Sequence, residues 1–324
     1  MREIPEQLRS GPFTRAAAQA ADVSSRMLQG RRFVRLHPGV WACRDTVLTW
    51  EQRLLAARLA LPERAHPTAE TRLRLLGLDI GADTPLRFVV QGDHHLALDG
   101  IFLHRTVRLP PLDADGVTPT AAYLAYCARA RVVDAIKVGD WLLHHGHMTL
   151  AGLVELALEA PWRAGAHEAV WVSDHLDGRS RSLPESELRA IVVFAKLPAP
   201  EPNGAMELDG VRVIADLLFR QWCTAVEYEG VQHQEERAVY VADLDRYHLY
   251  RGHGVGYVQV TKERLKHPRT LVGTIHRELV AHGYDGPPPD VGAGFAVLWT
   301  RLSDQVGPRR ARAQGRRTRL GAVS

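Results

Sequence analysis

Three short runs in the C-terminal half constrain this chain more than any other feature. Residues 210–216 (GVRVIAD), 224–229 (TAVEYE) and 257–261 (YVQVT) are rich in β-branched and aromatic side chains and are bounded by turn formers, which is the pattern of strands. Helical patterns surround them. Ser182 and Pro184 open a helix that carries Glu185 in its first turn and runs to Lys196, as a capping serine and an early proline allow. A proline-rich connection from Leu197 to Asn203 leads to the first strand, a helix with Asp243 and Arg246 leads through Gly254 to the third, and residues 269–282 form a last helix. The order helix, strand, strand, helix, strand, helix predicts an α/β sandwich around a mixed sheet, occupying residues 165–285.

The strands carry acids. Alternation along 224–229 places Glu227 and Glu229 on one face and Val226 and Tyr228 on the other, and Asp216 closes the strand before it. Carboxylates at the ends of neighbouring strands in an apolar core cost stability unless they are paired or bind a metal. Asp216 and Glu227 are therefore read as ligands of Mg²⁺ or Mn²⁺, since Mg²⁺ takes hard oxygens and is usually held by one or two carboxylates plus waters and substrate phosphate. Glu185 is placed to hold a metal-bound water, Glu229 shares the face of Glu227, and His233 is a candidate general acid or base because an unperturbed imidazole changes charge near neutrality, at about pH 6.5. Plainer roles compete: Glu185 as an acid favoured by the helix macrodipole, Glu229 as a solvated strand residue, Asp243 with Arg246 as an i,i+3 pair.

The succession SLPESELR, VIADLLF, VEYEGVQH, DLDRYHL and GYVQVT, over residues 180–283, resembles the restriction-endonuclease-like superfamily, in the branch related to very-short-patch-repair endonucleases. That resemblance implies a metal-dependent DNA endonuclease of defence or repair type. It also marks a departure. The superfamily places a lysine two residues after its second acid, where this chain has Glu229. Lys262 or Gln259 would have to substitute, or His233, because the repair-type relatives do without that lysine and use histidine.

The other end has a different texture. From Phe13 the chain reads PFTRAAAQAADVSSRMLQGRRFVRLHPGVWA. Thr14 can cap an alanine-rich helix over 15–21, and Ser24 a second short helix over 25–29 that Gly30 ends. Phe33, Val34 and Leu36 read as a strand, His37-Pro38-Gly39 as a turn and Val40-Trp41-Ala42 as a returning strand, so residues 1–45 are predicted to form a winged helix-turn-helix. In such a unit the second helix enters the major groove. That places Ser24, Ser25, Arg26 and Gln29 near base edges and gives Arg31, Arg32 and Arg35 to phosphates. Residues 4–45 resemble the N-terminal domain of the AbiEi family of type IV toxin-antitoxin antitoxins, and the resemblance implies promoter binding, transcriptional repression and a cognate toxin protein as partner.

Charge supports two basic ends rather than a basic protein. Of 41 basic and 37 acidic residues, six arginines lie within 309–324 without an acid, and residues 1–44 hold eight arginines against Glu3, Glu6 and Asp22. Basic clusters attract nucleic acid. Cys43, Cys127 and Cys223 are far apart, so neither a disulfide framework nor a zinc cluster is expected, and a reducing cytoplasm fits. No apolar run approaches a membrane span.

Residues 46–164 are expected to form a linking α/β segment, with a helix over 50–61, strands over 86–91 and 101–106, and helices over 119–129, 132–144 and 150–159. His94-His95 and His144-His145-Gly146-His147 stand without a second ligand pair at zinc spacing and are read as solvated loop histidines. Pro287-Pro288-Pro289 and the glycines after it predict a tail over 286–324, disordered from about residue 305. Two functions share this reading: a DNA endonuclease, or a repressor of antitoxin type with a degenerate nuclease-like domain. A homodimer is conceivable for either, since two-fold operators are common for such readers.

Overall fold

The computed structural model describes residues 4–229 and 249–307. His233, Asp243, Arg246 and the last arginine cluster lie outside the described residues. The chain is mixed α/β and divides into two compact units, Met1–Tyr123 and Leu124–Ser324.

In the first unit, Thr14 accepts from the Ala17 amide and so caps α1 (Arg15–Ala20). Asp22, at φ 58, makes the break, and Ser24 accepts from the Met27 amide to cap α2 (Ser25–Leu28). An antiparallel hairpin follows, and a short strand β1 (Phe13–Thr14) joins its outer edge, so that β1, β3 (Val40–Cys43) and β2 (Phe33–His37) lie in that order. Leu8, Phe13, Ala18, Val23, Leu28, Phe33 and Cys43 form one buried cluster. They are drawn from both helices, the break between them and all three strands, and burying them together makes two very short helices stable, which propensity alone would not do.

After a capping box in which Thr49 and Gln52 exchange hydrogen bonds, α3 (Trp50–Ala60) packs Leu54, Ala57 and Leu61 on Leu86 and Phe88. These belong to a second sheet with the order β4 (His66–Pro67), β5 (Leu86–Gln91), β6 (Ile101–Thr106). Helix α4 (Ala69–Arg74) and the pair β7 (Leu112–Asp113) and β8 (Gly116–Val117) complete the unit, with the buried guanidinium of Arg72 bonded to the Asp113 carboxylate at 2.8 Å.

Helix α5 (Pro119–Cys127) carries the chain into the second unit, where α6 (Val132–His144), α7 (Leu150–Glu159), α8 (Ala166–Ser173) and α9 (Leu183–Phe194) precede a four-stranded sheet. The sheet order is β12 (Gly256–Thr261), β11 (Thr224–Glu229), β10 (Val211–Phe219), β9 (Glu201–Leu208). β9, β10 and β11 are antiparallel, while β11 and β12 run parallel from Thr224↔Gly256 to Glu229↔Thr261. Two further helices, α10 (Lys262–Leu265) and α11 (Pro268–Ala281), follow the last strand.

The structure departs from the sequence reading in four places. The expected proline-rich connection is in part the strand β9, and Pro202 is tolerated there because β9 is an edge strand that can spare an amide. Asp209 and Gly210, at φ 52 and 76, make the two-residue turn that joins β9 to β10. Asp216 does not close its strand, which continues to Phe219. The expected division at 164/165 falls inside the second unit, because α6 buries its apolar face and pairs Lys137 and Asp140 with Glu187 and Arg189 of α9. Finally, residues 302–307 are helical where disorder was expected from about 305, and Phe295, Leu298, Leu302 and Val306 are buried at three- and four-residue spacing. Main-chain bonds from Val132 to the Thr300 carbonyl and from Leu302 to the Ala130 carbonyl hold this segment in place. Among the described residues no helix is long and apolar enough to cross a membrane.

Candidate functional site

The seven polar side chains singled out near the N-terminus fall into two groups. The two serines are already engaged: Ser24 Oγ caps α2 at 3.4 Å from the Met27 amide, and Ser25 Oγ accepts from Arg15 Nη2 at 2.6 Å and Nε at 3.1 Å. Arg26, Gln29, Arg31 and Arg35 are exposed, and Arg32 is half-buried. Arg35 lies at the register shift of the hairpin, its Nε 3.4 Å from the His37 carbonyl. Arg44 is spent on structure, donating to the carbonyls of Arg31 at 2.7 Å and Phe33 at 3.1 Å. The basic surface of this unit is thus smaller than its arginine count suggests. Burial lowers the pKa of His37 on the hairpin.

In the second unit the ladder between β10 and β11 consists of Phe219↔Thr224, Leu218↔Ala225 and Leu217↔Val226. Asp216 and Glu227 flank the last of these pairs, one on each strand. In place of a further ladder bond, the Asp216 carboxylate accepts the Tyr228 amide at 2.7 Å. Glu227 accepts the hydroxyl of the fully buried Tyr250 at 2.8 Å, and Tyr250 stacks on Tyr257 of β12. Glu229 accepts from the side-chain amide of Gln259, two strand positions beyond the Glu227↔Gln259 pairing. Glu185 is turned to its own helix entrance. Its carboxylate accepts the Arg181 amide at 2.9 Å and the Asn203 side chain at 2.9 Å, while its amide donates to Ser182 Oγ. Asn203, at φ 50 on the edge strand, also donates to the Arg179 carbonyl at 2.8 Å. The structure thus brings Asp216 and Glu227 to neighbouring positions of β10 and β11, sets Glu229 two residues further along β11, and ties Glu185 to β9.

The donor set suits a hard divalent ion in kind: Asp216 and Glu227 offer carboxylate oxygens on neighbouring strands, the number Mg²⁺ ordinarily takes from a protein. Among the described residues no group of three or more His, Cys, Asp or Glu could hold a metal ion by itself. The histidine clusters are occupied otherwise. His145 and His147 stack with Trp141 at centroid distances of 4.1 and 5.5 Å, His144 Nδ1 lies 3.1 Å from the Gly178 carbonyl, and His95 pairs with Asp93.

One polar network escaped the sequence reading. Asp140 on α6 is fully buried and accepts from Arg189 of α9 at 2.7 Å and from the Asp177 amide at 2.7 Å, and Arg189 also donates to the His175 carbonyl at 2.8 Å. Burial pushes the Asp140 carboxyl up to about 6, against the pull of Arg189. The partners are 49 residues apart, so only the packing of α6 on α9 reveals them.

In comparisons with known proteins, no family model, curated protein or solved structure matches the chain.

Proposed function

We propose that the chain is a cytoplasmic DNA-binding protein in two parts: a winged helix-turn-helix that reads duplex DNA, and a restriction-endonuclease-like domain that cleaves phosphodiesters with Mg²⁺ or Mn²⁺. The observation that carries the enzymatic half is the pair Asp216 and Glu227 flanking the Leu217↔Val226 pair of a mixed sheet. The reader is supported by two capped short helices followed by a hairpin, with Arg26, Gln29, Arg31 and Arg35 exposed.

Asp216 and Glu227 are the residues that would hold the ion, which when bound polarises the scissile phosphate and activates water. The chain's own contribution is to hold the carboxylates still. The Tyr228 amide orients Asp216 and the Tyr250 hydroxyl orients Glu227, and a fixed ligand loses less entropy on binding. Glu229 and Gln259 hold one another beside them. Glu185, joined to Asn203, anchors the start of α9 to the sheet edge. His233, outside the described residues, is the candidate general acid or base.

A second reading has its own support. Each of Asp216, Glu227 and Glu229 already accepts a protein donor, and Glu229 stands where the resembled superfamily carries lysine. These features suit a degenerate site in a repressor of antitoxin type, with a toxin protein as partner and a homodimer on a two-fold operator. Incubating the purified chain with single- and double-stranded DNA and Mg²⁺ or Mn²⁺ separates the two. Cleavage that chelator and Asp216→Asn abolish supports the enzyme. Specific duplex binding without cleavage supports the repressor, and cleavage undiminished by Asp216→Asn contradicts the assigned site.

A further inference from the structure

We infer that Arg15, at the first position of α1, is a DNA-contacting residue of the reader and that Ser25 is the residue that positions it. The inference rests on the reading of the first unit as a duplex-DNA binder.

Arg15 is fixed from two sides. Its main-chain amide donates to the Gly39 carbonyl at 3.2 Å, in the turn of the β2–β3 hairpin, immediately after Thr14 pairs with Val40 of β3. Its side chain crosses to α2, where Nη2 and Nε both donate to Ser25 Oγ at 2.6 and 3.1 Å. The residue therefore sits at the junction of the hairpin and the second helix, the two elements that a reader of this kind lays on DNA. It remains exposed.

The chemistry of a guanidinium decides what this arrangement can do. Its N–H groups form a planar fork with two usable edges. Ser25 occupies the edge made by Nε and the near proton of Nη2. The outer edge, made by Nη1 and the far proton of Nη2, is left pointing away from that contact. An arginine held along one edge presents the other without the rotamer entropy that a free side chain must lose. That outer edge matches a pair of acceptors set side by side, either O6 and N7 of a guanine or two oxygens of a phosphate.

The same geometry reassigns the serines. Ser24 Oγ is committed to the α2 cap and Ser25 Oγ to Arg15, so the groups that reach DNA from this region are Arg15, Arg26 and Gln29. A hydrogen bond between exposed side chains adds little to folding. Removing it should therefore register in binding while leaving the fold intact.

The test uses the full-length chain. Duplexes are enriched from a randomised pool by the wild-type protein, and binding to the enriched duplex is followed by fluorescence anisotropy for wild type, Arg15→Ala, Ser25→Ala and the double variant, with thermal midpoints measured alongside. Arg15→Ala should weaken binding about tenfold or more, Ser25→Ala by less, and the double variant no more than Arg15→Ala alone, all with midpoints near wild type. Replacing each base pair in turn then identifies the acceptor. If Arg15→Ala loses discrimination at one G·C pair, the partner is guanine; if it weakens all sequences alike and makes the salt dependence shallower by about 1, the partner is phosphate. Wild-type binding that Arg15→Ala leaves unchanged overturns the inference while the reader stands. Absence of wild-type binding to any duplex at low salt overturns both.

Discussion

Arg189 donates to the Asp140 carboxylate at 2.7 Å in the interior of the second unit, where Asp140 has no exposed surface. Burial outweighs the arginine and raises the carboxyl from its ordinary 3.8 to about 6. Between those values the folded chain keeps a proton that the unfolded chain has released, so this group's contribution to stability is complete below about pH 4 and is lost as pH rises through 6. His175 opposes it, because burial lowers its pKa and the unfolded chain binds that proton more readily. Comparison with Asp140→Asn isolates the carboxyl. In chemical denaturation across pH 4 to 7, the stability difference should move in the variant's favour by up to about 3 kcal/mol and then level off. Movement in favour of wild type would mean that Arg189 holds the carboxyl low.

Gly165 enters α8 at φ +94, and a Cβ there would run into the Leu124 carbonyl. The position combines a backbone region that side chains rarely adopt with a close approach to main chain that cannot swing away. Gly165→Ala should cost about 3 kcal/mol of second-unit stability, read as a fall in denaturant midpoint. A cost under about 1 kcal/mol would show that α5 and the entry to α8 are not so tightly joined.

The three cysteines should react in two classes. Cys223 is exposed, Cys127 is fully buried, and Cys43 is buried with its Sγ on the Leu8 carbonyl and its thiol pKa pushed up by burial. In the native chain a thiol reagent should label Cys223 rapidly and the other two only on unfolding, because thiolate and access govern the rate. Fast labelling of Cys43 would show that the core around Phe13 and Phe33 opens readily.

Much of the second unit was legible because its strands alternate or run β-branched between turn residues, as 224–229 does. β9 was hidden by Pro198, Pro200 and Pro202, and only its place at the sheet edge makes such a sequence a strand. The apolar spacing from Phe295 to Val306 was outweighed by the three prolines before it. Side-chain partnerships were the least legible. Ser25 stands in the first turn of a predicted second helix and was assigned to bases, yet the hydrogen bond that occupies it crosses the break from Arg15. Two antiparallel strands joined by a short turn leave few alternatives to placing Asp216 beside Glu227, but the donors from Tyr228 and Tyr250 depend on the sheet as folded.

Recognition of duplex DNA by the first unit underlies every functional reading given above, and the salt dependence of binding tests it most directly. With the full chain, log Kobs for an enriched duplex should fall linearly with log salt. Replacing the exposed Arg31 and Arg35 together by alanine should make that slope shallower by about 2, or about 1 for each phosphate left without its arginine. If that variant keeps the wild-type affinity and slope, the attraction comes from the arginines beyond residue 308 and the first unit is not the reader.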